Sequence, residues 1–413
     1  MLRRLLLVPL LLAAASARAD GVLPIEDNCV QPGGDACSAH AMDAFYQSLA
    51  ALERHDAGAM VRVVQYGDSL TADDYIAGRA RSRLQALYGD GGAGFVWIAP
   101  PHGSYRNGVS NRSTGWLGRT IITGGKKDGL YGLEGASFES GSGAAASFAT
   151  TKEAPGDKVA RFDIYYLEQP GGGSADVEID GKAETTLDTA GTTARAAFRA
   201  IDVPDGAHTL TLRQKKGTVR AYGVVMERAS GVVWDNLGLV SSSTRALTTI
   251  NAEHFRAELG HREPALVLVF LGPNESDFVG SGADAIAAYQ TTFEGLLAEV
   301  RAARPGATCL VMSPLDSAIT TADGKIVTKP VIPKLVEAQR QAAKRQGCAF
   351  WSTFAWMGGK GSMAKWYARG SANKDLTHIS QRAAWRVADA LVDAMLAGYG
   401  DWQKAHASAS AAR

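Results

Sequence analysis

The chain has 413 residues with 43 basic and 42 acidic side chains, and a balance this close to neutral supplies no electrostatic footprint for nucleic acid or an anionic membrane surface. Its length suits two or three domains, and 46% hydrophobic residues are enough for extended cores. No stretch reaches the roughly 18 uninterrupted apolar residues that a membrane helix needs.

At the N-terminus Arg3 and Arg4 precede an apolar run from Leu5 to Ala15 and the small-x-small triplet Ala17-Arg18-Ala19. The pattern reads as a secretory signal peptide over residues 1–19, cut before Asp20. It predicts a periplasmic or secreted protein without membrane insertion, and its removal leaves 40 basic against 42 acidic residues, a balance of −2. No cysteine follows the run, which argues against a lipid anchor. The four cysteines fit an oxidising compartment. Cys29 and Cys37 flank a Pro-Gly-Gly loop and are expected to close it; Cys309 and Cys348 each lie near the start of a predicted strand, and two readings stand, a second bridge or two buried thiols.

Helix-period segments near 38–55 and 74–88 flank an apolar strand over 61–66. From about 96 to 230 the texture changes: Phe162, Ile164 and Tyr166 alternate with polar neighbours, "GGGSADVEIDG" reads as turn, strand and turn, and Asp205-Gly206 precedes a Thr/Leu alternation. These are antiparallel β signals. Farther on, "VWDNLGLVSSSTRAL" reads as a strand, small residues and a helix, and strands over 265–272, 308–313 and 348–352 alternate with helices near 244–258, 284–304, 332–346 and 380–397. Continuous apolar strands separated by helices predict a parallel sheet covered on both faces. The expected organisation is an α/β domain in two parts, 20–95 and 231–400, interrupted by a β-sandwich over 96–230 and followed by an Ala/Ser-rich, disordered tail over 401–413.

The first strand runs directly into Gly67-Asp68-Ser69-Leu70. A serine there is either a helix cap or a nucleophile, and reactive groups of open α/β sheets gather at the carboxyl ends of strands. A nucleophilic serine needs an imidazole to take its proton and a carboxylate to hold that imidazole. Three of the eight histidines have an acid three residues earlier. Asp205/His208 sits in a hairpin turn of the β segment, and Glu258/His261 at a helix end, where a histidine answers the helix dipole. Asp375/His378 lies in a loop past the last predicted strand and is the pair expected to serve Ser69. Oxyanion donors are expected from the side-chain amide of Asn274, in "VLVFLGPNES", and from a backbone N–H near Ser241; the competing reading of Asn274 is a helix cap.

These blocks, in this order, resemble the SGNH branch of the GDSL hydrolases: Gly67-Asp68-Ser69-Leu70 is similar to the nucleophile block, Asn274 in Gly-x-Asn-Glu to the asparagine block, and Asp375-Leu376-Thr377-His378 to the Asp-x-x-His block. "YGDGGAGFV" (88–96), "WMGGKGSM" (356–363) and the β insert resemble, more narrowly, bacterial peptidoglycan O-acetylesterases and related carbohydrate esterases, over about residues 40–398. The resemblance implies a flavodoxin-like three-layer domain with an inserted carbohydrate-binding-like β-sandwich, and a catalytic triad of Ser69, His378 and Asp375. It further implies an oxyanion hole from the N–H groups of Ser69 and Ser241 with the Asn274 amide, no cofactor or metal, and an O-acetylated glycan as partner. The family usually has glycine where this chain has Ser241. Two rival readings are a polysaccharide O-acetyltransferase with the same triad and a non-catalytic glycan-binding wall protein. Trp97, Trp116 and Tyr166 are either sugar-stacking or core residues.

Overall fold

The computed structural model describes residues 21–33, 36–100, 109–123 and 128–411; the expected signal peptide lies outside them. Five parallel strands form the central sheet: β1 (Met60–Gly67), β2 (Gly231–Gly238), β3 (Leu266–Phe270), β4 (Thr308–Met312) and β5 (Ala349–Trp351), in spatial order β2-β1-β3-β4-β5. This is the flavodoxin-like order, and the direction of winding reverses between β1 and β3.

Successive side chains of a strand point to opposite faces, and both faces are apolar here. Leu266, Leu268 and Phe270 of β3 join a core with α1 (Asp43–Glu53), α2 (Tyr75–Tyr88) and α6 (Gln381–Ala411), through Phe45, Leu84 and Leu391 among others. Val267 and Val269 face the other way, into a core with α3 (Ala252–Arg262), α4 (Ala283–Ala303) and α5 (Ile332–Arg345), through Leu259, Phe293 and Leu335. The result is the expected three-layer α/β domain.

The inserted segment is antiparallel β, as its alternation predicts. Nine strands form one connected network of two arms. One arm holds Gly94–Trp97, Arg220–Glu227, Val159–Glu168 and Arg195–Gly206. The other holds Ser110–Thr120, Ala136–Ala149, Thr209–Lys216, Ser174–Ile179 and Lys182–Asp188. They join where Arg220 and Ala221 pair with Glu139 and Phe138. The first and last strands of the insert are neighbours, Gly94 opposite Met226 and Trp97 opposite Gly223, so the chain leaves and re-enters the α/β domain at one seam. Trp97 and Tyr166 are buried, and Trp116 packs partly buried against the same core, which favours the core reading of all three.

A charged network locks the seam. Arg62 of β1 donates twice to Glu227, at 2.8 and 2.9 Å, and Arg262 of α3 donates to Glu227 at 2.6 Å and to Asp235 of β2 at 2.6 and 3.1 Å. Asp235 also accepts from the Phe95 N–H at 2.8 Å. Burial works against the charge on Glu227, but Arg262 and Arg62 outweigh it and bring its pKa down to about 2.

Three sequence expectations change or resolve. The single helix expected near 244–258 is two, Thr244–Leu247 and α3, because the Asn251 side chain accepts from the His254 N–H and starts a new helix. Residues 401–411 continue α6 where a disordered tail is expected: alanine is the strongest helix former, Trp402 stacks between Tyr399 and His406, and Tyr399 and Gln403 donate to Glu53 of α1. Both cysteine pairs, Cys29–Cys37 and Cys309–Cys348, are disulfides, the second joining the neighbouring β4 and β5 ends. Among the described residues no helix is long and apolar enough to cross a membrane.

Candidate active site

Ligand and reactive groups of an open α/β sheet collect where the winding reverses, beyond the carboxyl ends of the strands. Three of the predicted site residues follow the three strands at that point: Ser69 after β1, Ser241 after β2 and Asn274 after β3. Gly67 lets the turn after β1 close, since a Cβ there would lie 2.0 Å from Thr71 Oγ1.

The capping role falls one residue before Ser69. Asp68 is the cap of the short helix Ser69–Ala72, its Oδ1 accepting from the Leu70 N–H at 2.9 Å. The serine hydroxyl is therefore free to point elsewhere, and Ser69 Oγ lies 2.7 Å from His378 Nε2. His378 Nδ1 is 2.9 Å from Asp375 Oδ2. With Nδ1–H donating to the carboxylate, Nε2 is the nitrogen left to accept the serine proton.

Asp375 is held as firmly as it holds. Its Oδ1 accepts from the N–H groups of Thr377 and His378, at 2.9 and 2.8 Å. Partial burial works against its charge, yet these two N–H groups and the His378 ring keep its carboxyl below the usual carboxylate range. The turn needs Leu376 in the left-handed region, at φ 56°, which is uncommon for a leucine. Leu376 is buried, its carbonyl accepts from the Ala318 N–H, and Thr377 Oγ1 meets Ser317 Oγ at 2.8 Å. A cavity of ≈ 160 Å³ opens beside the Ser69 and His378 side chains, with Asp73, Tyr75 and Ile379 among its walls.

The two remaining predicted residues follow β2 and β3. Asn274 precedes the helix Glu275–Phe278 without capping it through its side chain. Its Nδ2 instead donates to the Ser242 carbonyl at 2.7 Å, leaving the second N–H of the amide for another acceptor. Ser241 adopts φ 65°, the left-handed conformation that explains why glycine is common there. Among the described residues its N–H has no hydrogen-bond partner. The N–H of Ser69, at the first position of its helix, has no helical acceptor.

The rejected histidines are engaged elsewhere. His208 Nδ1 meets Asp180 Oδ2 at 2.7 Å, and this bond raises its pKa, while Asp205 pairs with Arg228. His261 Nε2 meets Asp163 Oδ2 at 2.7 Å, its ring stacked on Phe198. Glu258 is buried beside His254, one helical turn away, and not beside His261.

At the switch point of this 2-1-3-4-5 sheet a serine, a histidine and an aspartate are thus hydrogen-bonded in series, an arrangement similar to that of serine hydrolases. The family model described as GDSL-like Lipase/Acylhydrolase family matches residues 205–386, somewhat less than half of the chain, a similarity that points to a carboxylic ester hydrolase. The match begins inside the β insert, which separates the Ser69 block from the rest of the domain.

The fold is similar to that of a solved peptidoglycan O-acetylesterase, with TM-score 0.73 and 23% identity over 87% of this chain and 96% of that one. A family two carbohydrate esterase from Clostridium thermocellum matches at TM-score 0.31 and 11% identity, over 69% of this chain and 99% of that one. The salicylyl-acyltransferase SsfX3 matches at TM-score 0.32 and 12% identity, over 73% and 97%. No curated protein matches the sequence.

Proposed function

We propose that the protein removes O-acetyl groups from a bacterial cell-wall glycan, peptidoglycan before other polysaccharides, in the periplasm or outside the cell. The observation that carries this reading is the continuous Ser69–His378–Asp375 hydrogen-bond series at the switch point of the sheet. The small cavity at Ser69 favours a short acyl group such as acetyl. The similarity to a peptidoglycan O-acetylesterase and the expected secretory leader favour a cell-wall substrate.

Ser69 Oγ attacks the acetyl carbonyl carbon while its proton passes to His378 Nε2, and Asp375 stabilises the imidazolium that forms. The carbonyl electron pair moves onto oxygen, where the N–H groups of Ser69 and Ser241 and the Asn274 amide receive the charge. Collapse breaks the bond to the sugar oxygen, which takes the proton from His378. Water then gives a proton to His378 and attacks the acetyl-enzyme; collapse releases acetate and returns the proton to Ser69.

The test is acetate release from O-acetylated peptidoglycan and from other acetylated polysaccharides, with the Ser69→Ala variant in parallel. Release that depends on Ser69 and is fastest on peptidoglycan is expected. Equal release by Ser69→Ala would overturn the nucleophile, and a preference for another polymer would overturn the substrate.

A further inference from the structure

The loop that carries Ser241 has no regular structure of its own to hold it, and a serine in the left-handed region does not stay there for its own sake. Something outside the loop fixes it. The Ser242 N–H closes a turn on the Leu239 carbonyl, and Ser242 and Thr244 are tied to the segment after β3. Asn274 Nδ2 holds the Ser242 carbonyl, and Glu275 Oε1 accepts from both the N–H and the hydroxyl of Thr244, at 2.7 and 2.8 Å.

Glu275 places a carboxyl group deep in this position. It is 1% exposed, and burial raises its pKa against the pull of its hydrogen bonds with Thr244. Its Oε2 is buried without a partner among the described residues. A carboxyl group in such surroundings is costly unless a structural constraint depends on it. Its two bonds to Thr244 supply that constraint, because Thr244 ends the loop whose other end is Ser241.

We propose that Glu275 is the positioning residue of the oxyanion loop: through Thr244 it holds Ser241 in the left-handed conformation that keeps the Ser241 N–H available to the oxyanion. The inference rests on the proposed esterase reading, in which Ser241 supplies one of the donors. The clamp explains how serine is tolerated where glycine would adopt the same conformation unaided.

The experiment measures kcat and KM on 4-nitrophenyl acetate for Glu275→Ala, Glu275→Gln, Thr244→Val and the double variant Glu275→Ala/Ser241→Gly, with Ser69→Ala as reference and thermal melting as the check on folding. Glu275→Ala should lower kcat by about a hundredfold, on the scale of a lost oxyanion donor, with KM within a few fold. Glu275→Gln keeps the Oε1 acceptor and should recover to within about tenfold of the parent. In the double variant glycine takes the loop conformation without the clamp, and kcat should rise by about tenfold over Glu275→Ala, a coupling that a general loss of packing would not produce. Should Glu275→Ala fail to fold, the near-isosteric Thr244→Val carries the test, with kcat reduced several fold and KM unchanged. Unchanged kcat in Thr244→Val, or no recovery with Ser241→Gly in a folded Glu275→Ala protein, overturns the clamp while Ser69→Ala is inactive; an active Ser69→Ala would overturn the esterase reading instead.

Discussion

Ser69 has a free hydroxyl because Asp68 takes the helix-capping role, and Asp68 carries a cost for it. Burial, with the nearby Glu275 charge adding to it, raises its pKa from 3.8 to about 7, and its Oδ2 has no partner among the described residues. In the unfolded chain the carboxyl ionises near its ordinary value, whereas the folded protein keeps the proton until about pH 7. Any stability from the protonated group is thus fully present below about pH 4 and is lost as pH rises toward 7. Asp68→Asn does not titrate and keeps an oxygen for the Leu70 N–H. Its stability relative to the parent should therefore increase between pH 5 and pH 8, by on the order of a few kcal/mol. Parallel melting curves at the two pH values measure this; a difference that does not change with pH would mean that Asp68 is ionised throughout.

The triad gives a second comparison at the same scale. His378→Ala should cost as many orders of magnitude in kcat as Ser69→Ala, because the two act as one unit. His208→Ala and His261→Ala remove contacts to Asp180 and the Pro204 carbonyl and to Asp163 and Phe198, none of them part of the Ser69 site, and should leave the rate within a few fold. Asn274→Ala should lower kcat by roughly a hundredfold to a thousandfold with little change in KM, measured as initial rates of acetate release. The sequence points to Ser69, Asp375 and His378 because each motif is local: a strand end, and an acid and a histidine three residues apart. It does not point to the Glu275–Thr244 link, which joins loops 31 residues apart, nor to the left-handed turn at Leu376, since nothing about a leucine announces positive φ.

The elements follow the same division between local and distant causes. The central strands are continuous apolar runs and read directly as a parallel sheet. The break between the helix Thr244–Leu247 and α3 turns on one capping side chain, Asn251, and the helical end of α6 on ring stacking of Trp402 with Tyr399 and His406. Distance in sequence hides the seam entirely: Arg62, Glu227, Asp235 and Arg262 come from four different elements. Removing one member of a buried ion network leaves uncompensated charge, at a cost of about 3–5 kcal/mol. Arg262→Met, which keeps most of the volume, should lower the stability measured by urea unfolding by that amount. A loss under about 1 kcal/mol would show that the network is replaceable by packing.

At the scale of the whole molecule, the seam decides whether the β insert behaves as an independent module. Its first and last strands are adjacent, the arrangement expected of a domain that could be excised, and contacts between domains of one chain are commonly small and polar. Here the apolar core runs without interruption from Phe95, Ile164 and Val224 of the insert to Val64 and Tyr66 of β1 and Leu259 of α3. Glu227, at the end of the insert's last strand, balances Arg62 and Arg262 of the α/β domain. Unfolding the insert alone would expose the α/β side of that shared core and take Glu227 away from the buried Arg262 and the half-buried Arg62, so neither unit should melt without the other. Calorimetry with the disulfides intact should therefore give one transition whose calorimetric and van't Hoff enthalpies agree. Tryptophan fluorescence, which follows Trp97 in the insert and Trp234 and Trp351 in the central sheet, should share its midpoint with the far-ultraviolet circular dichroism. Two resolved transitions would make the insert a separable domain and assign the seam a docking role; one transition makes the insert part of the body on which the catalytic edge is built.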